Sequence, residues 1–234
     1  MKPSISVLAA GLALTLAGPA GAERYKLHYA ARIATITRGV PSGPPLDSAD
    51  IKGHVIVRGD TVTGDFTFDA ADPPISHYEY ESFAAATYGG NAATTNVVRF
   101  GNSTLSETGS RNESLISVDD SSDRRYRHDD LLFTSTTNGA SQAYTAYVEL
   151  YFIDKTAAAL EGTGLPIKLP DQMAGAFGYR YSRLVNGTYD DILMRGELTS
   201  AVISAVPEPG TGTLLLLGLG TLGWRALARR KGCR

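Results

Sequence analysis

Thr61-Val62-Thr63-Gly64-Asp65-Phe66-Thr67-Phe68-Asp69 is the stretch that decides the fold class. Val62, Phe66 and Phe68 share one parity, with polar residues or glycine between them. That is the period of a half-buried strand and not of a helix. Gly59-Asp60 supplies a turn just before it, and His54-Val55-Ile56-Val57-Arg58 is a short β-type run on the other side. Together they read as a hairpin. Asp72-Pro73-Pro74 ends it, because proline neither donates a ladder hydrogen bond nor lets the preceding residue turn helical.

The same pattern continues outward. Arg24 to Arg38 carries Tyr25, Leu27, Tyr29, Ile33 and Ile36 among polar residues, and Pro41-Ser42-Gly43-Pro44-Pro45 breaks it. Further β-type runs fall at 77–88, 96–105, 115–118, 126–134, 143–153, 176–184 and 190–203. In Tyr144–Ile153, Tyr147, Glu149, Tyr151 and Ile153 take one face, and Val148, Leu150 and Phe152 the other. Thr156–Glu161 has helical character but is too short to form a helix alone. Short strands separated by Gly, Pro and Asp turns predict an all-β, antiparallel β-sandwich or jelly-roll-like exterior domain over 23–205. A signal helix precedes it and a transmembrane helix follows.

Charge divides the chain. Of 22 Lys and Arg, Lys2, Arg225, Arg229, Arg230, Lys231 and Arg234 lie outside 23–205; of 24 Asp and Glu, only Glu208 does. The body therefore holds 16 basic against 23 acidic groups. An acidic body excludes nucleic acid as a partner, since phosphate contacts require clustered Lys and Arg. The only cysteine, Cys233, lies near the C-terminus, so the body must fold without disulfides.

Both ends read as targeting segments. Lys2, an apolar run from Ile5 to Leu16, and Ala20-Gly21-Ala22 form a secretory leader over 1–22, with cleavage between Ala22 and Glu23 and Ala20 and Ala22 at the small-residue positions. At the other end, Val206-Pro207-Glu208-Pro209-Gly210-Thr211 runs into a Leu/Gly-rich segment, about 212–228, and a basic tail, 229–234. That segment approaches the length of a spanning helix. Arg225, Arg229, Arg230 and Lys231 behind it hold the C-terminus in the cytosol and the body outside.

Motif, apolar helix and basic end, in that order, resemble the PEP-CTERM sorting signal. The resemblance covers 206–234, with Val206, Pro207, Glu208, Pro209 and Thr211 as the motif residues. It implies processing by an exosortase, an integral membrane cysteine protease acting as a transpeptidase in Gram-negative bacteria that make extracellular polysaccharide. The body is also similar to a recurrent type of PEP-CTERM exterior domain, through Gly-x-x-Val-x-Gly-x-Phe-x-Phe-Asp from Gly59 to Asp69 and a last strand that ends at the sorting motif.

Candidate chemistry in the body is sparse. Asp119, Asp120 and Asp123 are three carboxylates within five residues, the number of oxygens a Ca²⁺ site begins from. The stretch lacks the Gly and Glu of an EF-hand, and Arg124, Arg125 and Arg127 stand beside it. It reads as a solvated loop of mutual ion pairs. Arg58-Gly59-Asp60 reads as a turn. His28, His54, His77 and His128 show no metal-ligand spacing. Tyr78, Tyr80, Tyr88, Tyr144, Tyr147 and Tyr151 offer rings and hydroxyls suited to sugars, or to half-buried strands.

The expectation is therefore an exported, non-enzymatic protein without a cofactor. It is inner-membrane-anchored before processing and afterwards in the cell envelope, at the surface or extracellular, with a structural or interaction role. Its partners are the exosortase, the membrane and extracellular polysaccharide. The alternative is a glycan-binding, Ca²⁺-assisted surface module; a secreted hydrolase ranks third.

Overall fold

A computed structural model describes residues 24–89, 95–101, 105–108, 114–121, 128–139 and 143–206. Glu23–Ala205 forms one compact unit. The leader, the expected transmembrane segment and the basic tail lie outside the described residues.

The unit is built from fourteen strands among the described residues. They are β1 (Arg24–Arg38), β2 (Pro45–Leu46), β3 (Ser48–Ile51), β4 (His54–Val57), β5 (Thr61–Asp69), β6 (Ser76–Tyr80), β7 (Phe83–Gly89), β8 (Thr95–Phe100), β9 (Ser106–Thr108), β10 (Ser114–Ser121), β11 (Asp129–Asn138), β12 (Tyr144–Asp154), β13 (Ala174–Val185) and β14 (Thr188–Ala205). Thr156–Glu161 forms turns and bends instead of helix. The expected run 77–88 is two strands, β6 and β7, which pair as a hairpin.

The antiparallel all-β expectation holds. The two facing sheets of a sandwich or jelly roll do not appear in the pairing. Twelve strands join one sheet in the order β6-β7-β10-β11-β12-β13-β14-β1-β5-β8-β9, with β2 on β1; β3 and β4 form a separate hairpin. The sheet curls until its halves meet. Phe66 on β5 packs edge-on against Phe133 on β11 with centroids 5.1 Å apart, although five strand steps separate them. Phe100 on β8 meets Tyr179 on β13 in the same way at 4.8 Å. Strand twist supplies part of this curvature. The register shifts between Ala30 and Ala31, and between Ile33 and Thr35, supply more, because bulges bend the longest pairing of the sheet.

The core lies inside the curl and follows period 2 along every long strand. Leu27, Tyr29, Ala31 and Ile33 of β1 are buried, as are Val62, Phe66 and Phe68 of β5, and Val148, Leu150 and Phe152 of β12. Burying a residue such as Phe or Leu contributes roughly 1.5–3 kcal/mol, so about thirty such positions suffice without disulfides.

Candidate functional site

The first and last strands of the unit are direct partners. Tyr25 opposes Ala205, Lys26 opposes Ser204 and Leu27 opposes Ile203 in an antiparallel register. Arg24 opens β1, two residues after the expected leader cleavage, and Ala205 closes β14, one residue before Val206. The N-terminal end of β1 and the C-terminal end of β14 therefore lie at one end of the sheet, on neighbouring strands. Val206 is described and half-buried. Ala20, Ala22, Glu23, Pro207, Glu208, Pro209, Thr211, Arg225, Arg229, Arg230 and Lys231 lie outside the described residues.

β14 has two regimes. From Thr188 to Glu197 it is flanked by β13 on one side, with Val185 opposing Thr188 and Ala176 opposing Glu197. From Leu198 to Ala205 it pairs only with β1. Among the described residues, no backbone hydrogen bond from another segment reaches that stretch. Val202 is 59% exposed.

The tyrosines separate by environment. Tyr78 and Tyr80 stand two residues apart on β6, whose five residues are all exposed. They are 58% and 68% exposed, and their rings lie parallel within 2° at a centroid distance of 6.4 Å. Phe83 packs at the side of Tyr78, 6.3 Å away. By contrast, Tyr88 is buried and its hydroxyl donates to the Thr163 carbonyl at 2.7 Å. The Tyr151 hydroxyl donates to Asp130 at 2.8 Å, and burial, followed by the Asp130 carboxylate, pushes its pKa up to about 12. Tyr147 is half-buried on the same face of β12.

Asp119 and Asp120 do not converge. As neighbours on β10 they take alternate faces, and their partners differ. Asp119 lies directly across from Asp130 on β11, where burial first and the Asp130 charge second raise its pKa. Asp120 accepts the Gly162 backbone N–H. Asp123 lies outside the described residues. Among those described, no group of three or more His, Cys, Asp or Glu is arranged to hold a metal ion. The acidic side chains serve loop geometry instead. Asp129 accepts from Ser121, Ala159 and Leu160 N–H, and Asp154 from Thr156 and Ala158 N–H. These bonds seat the 155–173 connection against the sheet.

Sequence reasoning missed one polar cluster. The β3–β4 turn places Lys52 (φ 55°) so that its ammonium meets buried Glu107 of β9 at 2.7 Å and lies 3.7 Å from the Tyr144 ring centroid. Burial alone would lower the Lys52 pKa; hydrogen bonds to Glu107 and Tyr144 more than reverse it. The buried Tyr179 hydroxyl is held well above its ordinary value by desolvation and then by the Glu107 charge. Lys52 and Glu107 are 55 residues apart, so no local spacing signals the pair. Arg58-Gly59-Asp60 forms the expected turn: Gly59 has φ 93°, and Asp60 accepts the Val57 N–H at 3.0 Å. Arg58 lines a groove of about 690 Å³ and pairs with Asp47 at 3.6 Å.

The family model for the PEP-CTERM protein-sorting motif matches residues 205–231. The match begins at the last residue of β14. No curated protein matches the chain. The motif marks the chain as a target for exosortase-dependent export.

Proposed function

We propose that this protein, carrying a PEP-CTERM motif directly behind its last strand, is exported through its leader (1–22), processed at its tail (206–234) by an exosortase, and then serves an interaction role in the cell envelope or extracellular matrix. The single observation that carries this reading is the sorting motif at 205–231. Its position supports the reading, since the last described strand, β14, ends at Ala205, directly before the motif residues. The membrane is the partner before processing, with the apolar segment at about 212–228 and Arg225, Arg229, Arg230 and Lys231 holding the tail. The β-unit acts by binding and not by catalysis. The mass of the mature protein in its native host tests this. A product lacking both leader and tail, absent from a Pro207→Ala/Pro209→Ala variant, is expected. A mature product that keeps Leu214–Arg234 would leave an ordinary tail-held membrane protein.

A second reading is favoured by Tyr78 and Tyr80. Two exposed parallel rings with their own phenolic hydroxyls offer apolar faces and hydrogen-bonding groups together, the combination a pyranose chain presents in return. The interaction partner is then extracellular polysaccharide. Retention of the protein on immobilised neutral polysaccharides, reduced at least tenfold by Tyr78→Ala/Tyr80→Ala and unchanged by Tyr147→Ala, is the expected result. Equal retention of the double variant would remove the reading.

A further inference from the structure

Edges of a sheet are places where another chain can pair, and folded proteins ordinarily blunt them. The two formal edges here follow that rule. β6 is five residues long, carries His77 and Glu79, and follows Pro73-Pro74. β9 has three residues. A third edge breaks the rule. Among the described residues, Leu198-Thr199-Ser200-Ala201-Val202-Ile203-Ser204-Ala205 has a partner on one side only, and apart from a bulge at Thr199 it carries none of these devices: no charge, no proline and no glycine. Eight residues of strand span about 26 Å. Its composition favours pairing, with Thr, Val and Ile prominent. Leu198, Ala201 and Ile203 pack toward the core, while Val202 is exposed. β13 does not extend to cover it, since its pairing with β14 begins at Ala176 opposite Glu197.

This open edge runs without a spacer into the sorting motif, which starts at Ala205. A protease cleft that takes an extended motif must accommodate the residues just before it. Here those residues are already extended and already held by β1. Resting on the processing reading above, we propose that the exosortase recognises the edge of β14 from Leu198 to Ala205 by strand addition, so that its substrate is the folded sheet edge together with the tail. Main-chain hydrogen bonds to the open side would supply affinity, and β1 would hold the strand extended and in register from Ser200 to Ala205. The β1–β14 pairing stays intact while the protease works.

The test follows processing of the full-length chain by mass over time in the native host. Single prolines are placed from Ser200→Pro to Ser204→Pro, beyond the bulge at Thr199 where the alternation is broken. In an antiparallel strand, alternate N–H groups face the partner, so alternate prolines spare the β1 ladder and remove only outward donors. We expect the variants that keep the wild-type melting temperature within a few degrees to be processed at least tenfold more slowly. A second variant does not depend on proline tolerance. Lys26→Cys/Ser204→Cys, in a Cys233→Ser background, ties β1 to β14 across directly opposed residues. Processing within twofold of wild type is expected for this lock. If fold-retaining prolines are processed at the wild-type rate, the edge is not read. If the lock stops processing, β14 must peel away and strand addition is wrong. If the full-length chain forms a dimer that the prolines abolish, the edge belongs to a second copy and the proposal also falls. Failure of the wild type itself to lose its tail would instead overturn the processing reading, and is thereby distinguished.

Discussion

Tyr29 lies across Gly64, its directly opposed partner on β5: a Cβ built on Gly64 would stand 2.2 Å from the Tyr29 ring. The ring fills the space that the missing side chain leaves, inside the curl, with Phe177 on its other side at 6.3 Å. Gly64→Ala therefore forces a buried aromatic out of place. Overpacking of this kind costs about 1–3 kcal/mol. Urea unfolding of Gly64→Ala is expected to show that loss, and most of it should vanish when Tyr29→Ala is present as well.

Glu107 is buried and its carboxylate has Lys52 as its counter-ion at 2.7 Å. Lys52→Met leaves that charge without compensation, and about 3 kcal/mol of stability should be lost. The double variant Lys52→Met/Glu107→Leu removes both charges and should recover most of it. A chemical-denaturation cycle on the four proteins checks both statements.

Asp119 faces Asp130 across β10 and β11, and its pKa is raised by burial and by that neighbour. A carboxyl raised in the folded state takes up protons more readily there than in the unfolded chain. Stability is therefore lost as pH rises from the ordinary Asp value through the folded value. Asp119→Asn should gain about 0.5 kcal/mol at pH 7, in the range of a like-charge cross-strand pair, and nothing near pH 3. Melting temperatures at the two pH values decide it.

Asp154 has the opposite sign. Backbone N–H groups of Ala158 and Thr156 hold its pKa down. The stabilisation is present above the ordinary Asp value and disappears as pH falls through the depressed folded value. Asp154→Asn is expected to speed amide exchange in 156–160 several-fold at pH 7. The difference should close in acid, and exchange measured by mass spectrometry would show it.

Local pattern made much of this molecule legible. Alternation in Thr61–Asp69 and Tyr144–Ile153 separated the two faces of each strand, and in the second Val148, Leu150 and Phe152 are buried while Tyr147 and Tyr151 are not. The sorting tail was legible because its three parts are contiguous. What depends on distant pairing was not. The curl of one sheet, in place of two sheets packed face to face, comes from the extra residues Ala34 in β1 and Thr199 in β14 and from β14 returning to β1, and neither has a composition of its own. The run 77–88 concealed a turn at Glu81-Ser82 because both flanks are β-formers. The Lys52–Glu107 pair and the stretch of β14 paired on one side only exist only once the register is set.

The partnership of β1 with β14 also fixes an order of events. Tyr25 and Ala205 are 180 residues apart in the chain, so the longest ladder of the sheet closes the longest loop. As the chain is threaded outward from its N-terminus, β1 can find β5 early, but its other side must wait until nearly everything has arrived. Such high contact order makes folding slow. During that interval β1 is itself an open edge. Arg24, Lys26 and Arg32 along it are charges of the kind that keep a half-made sheet from pairing with its neighbours in transit.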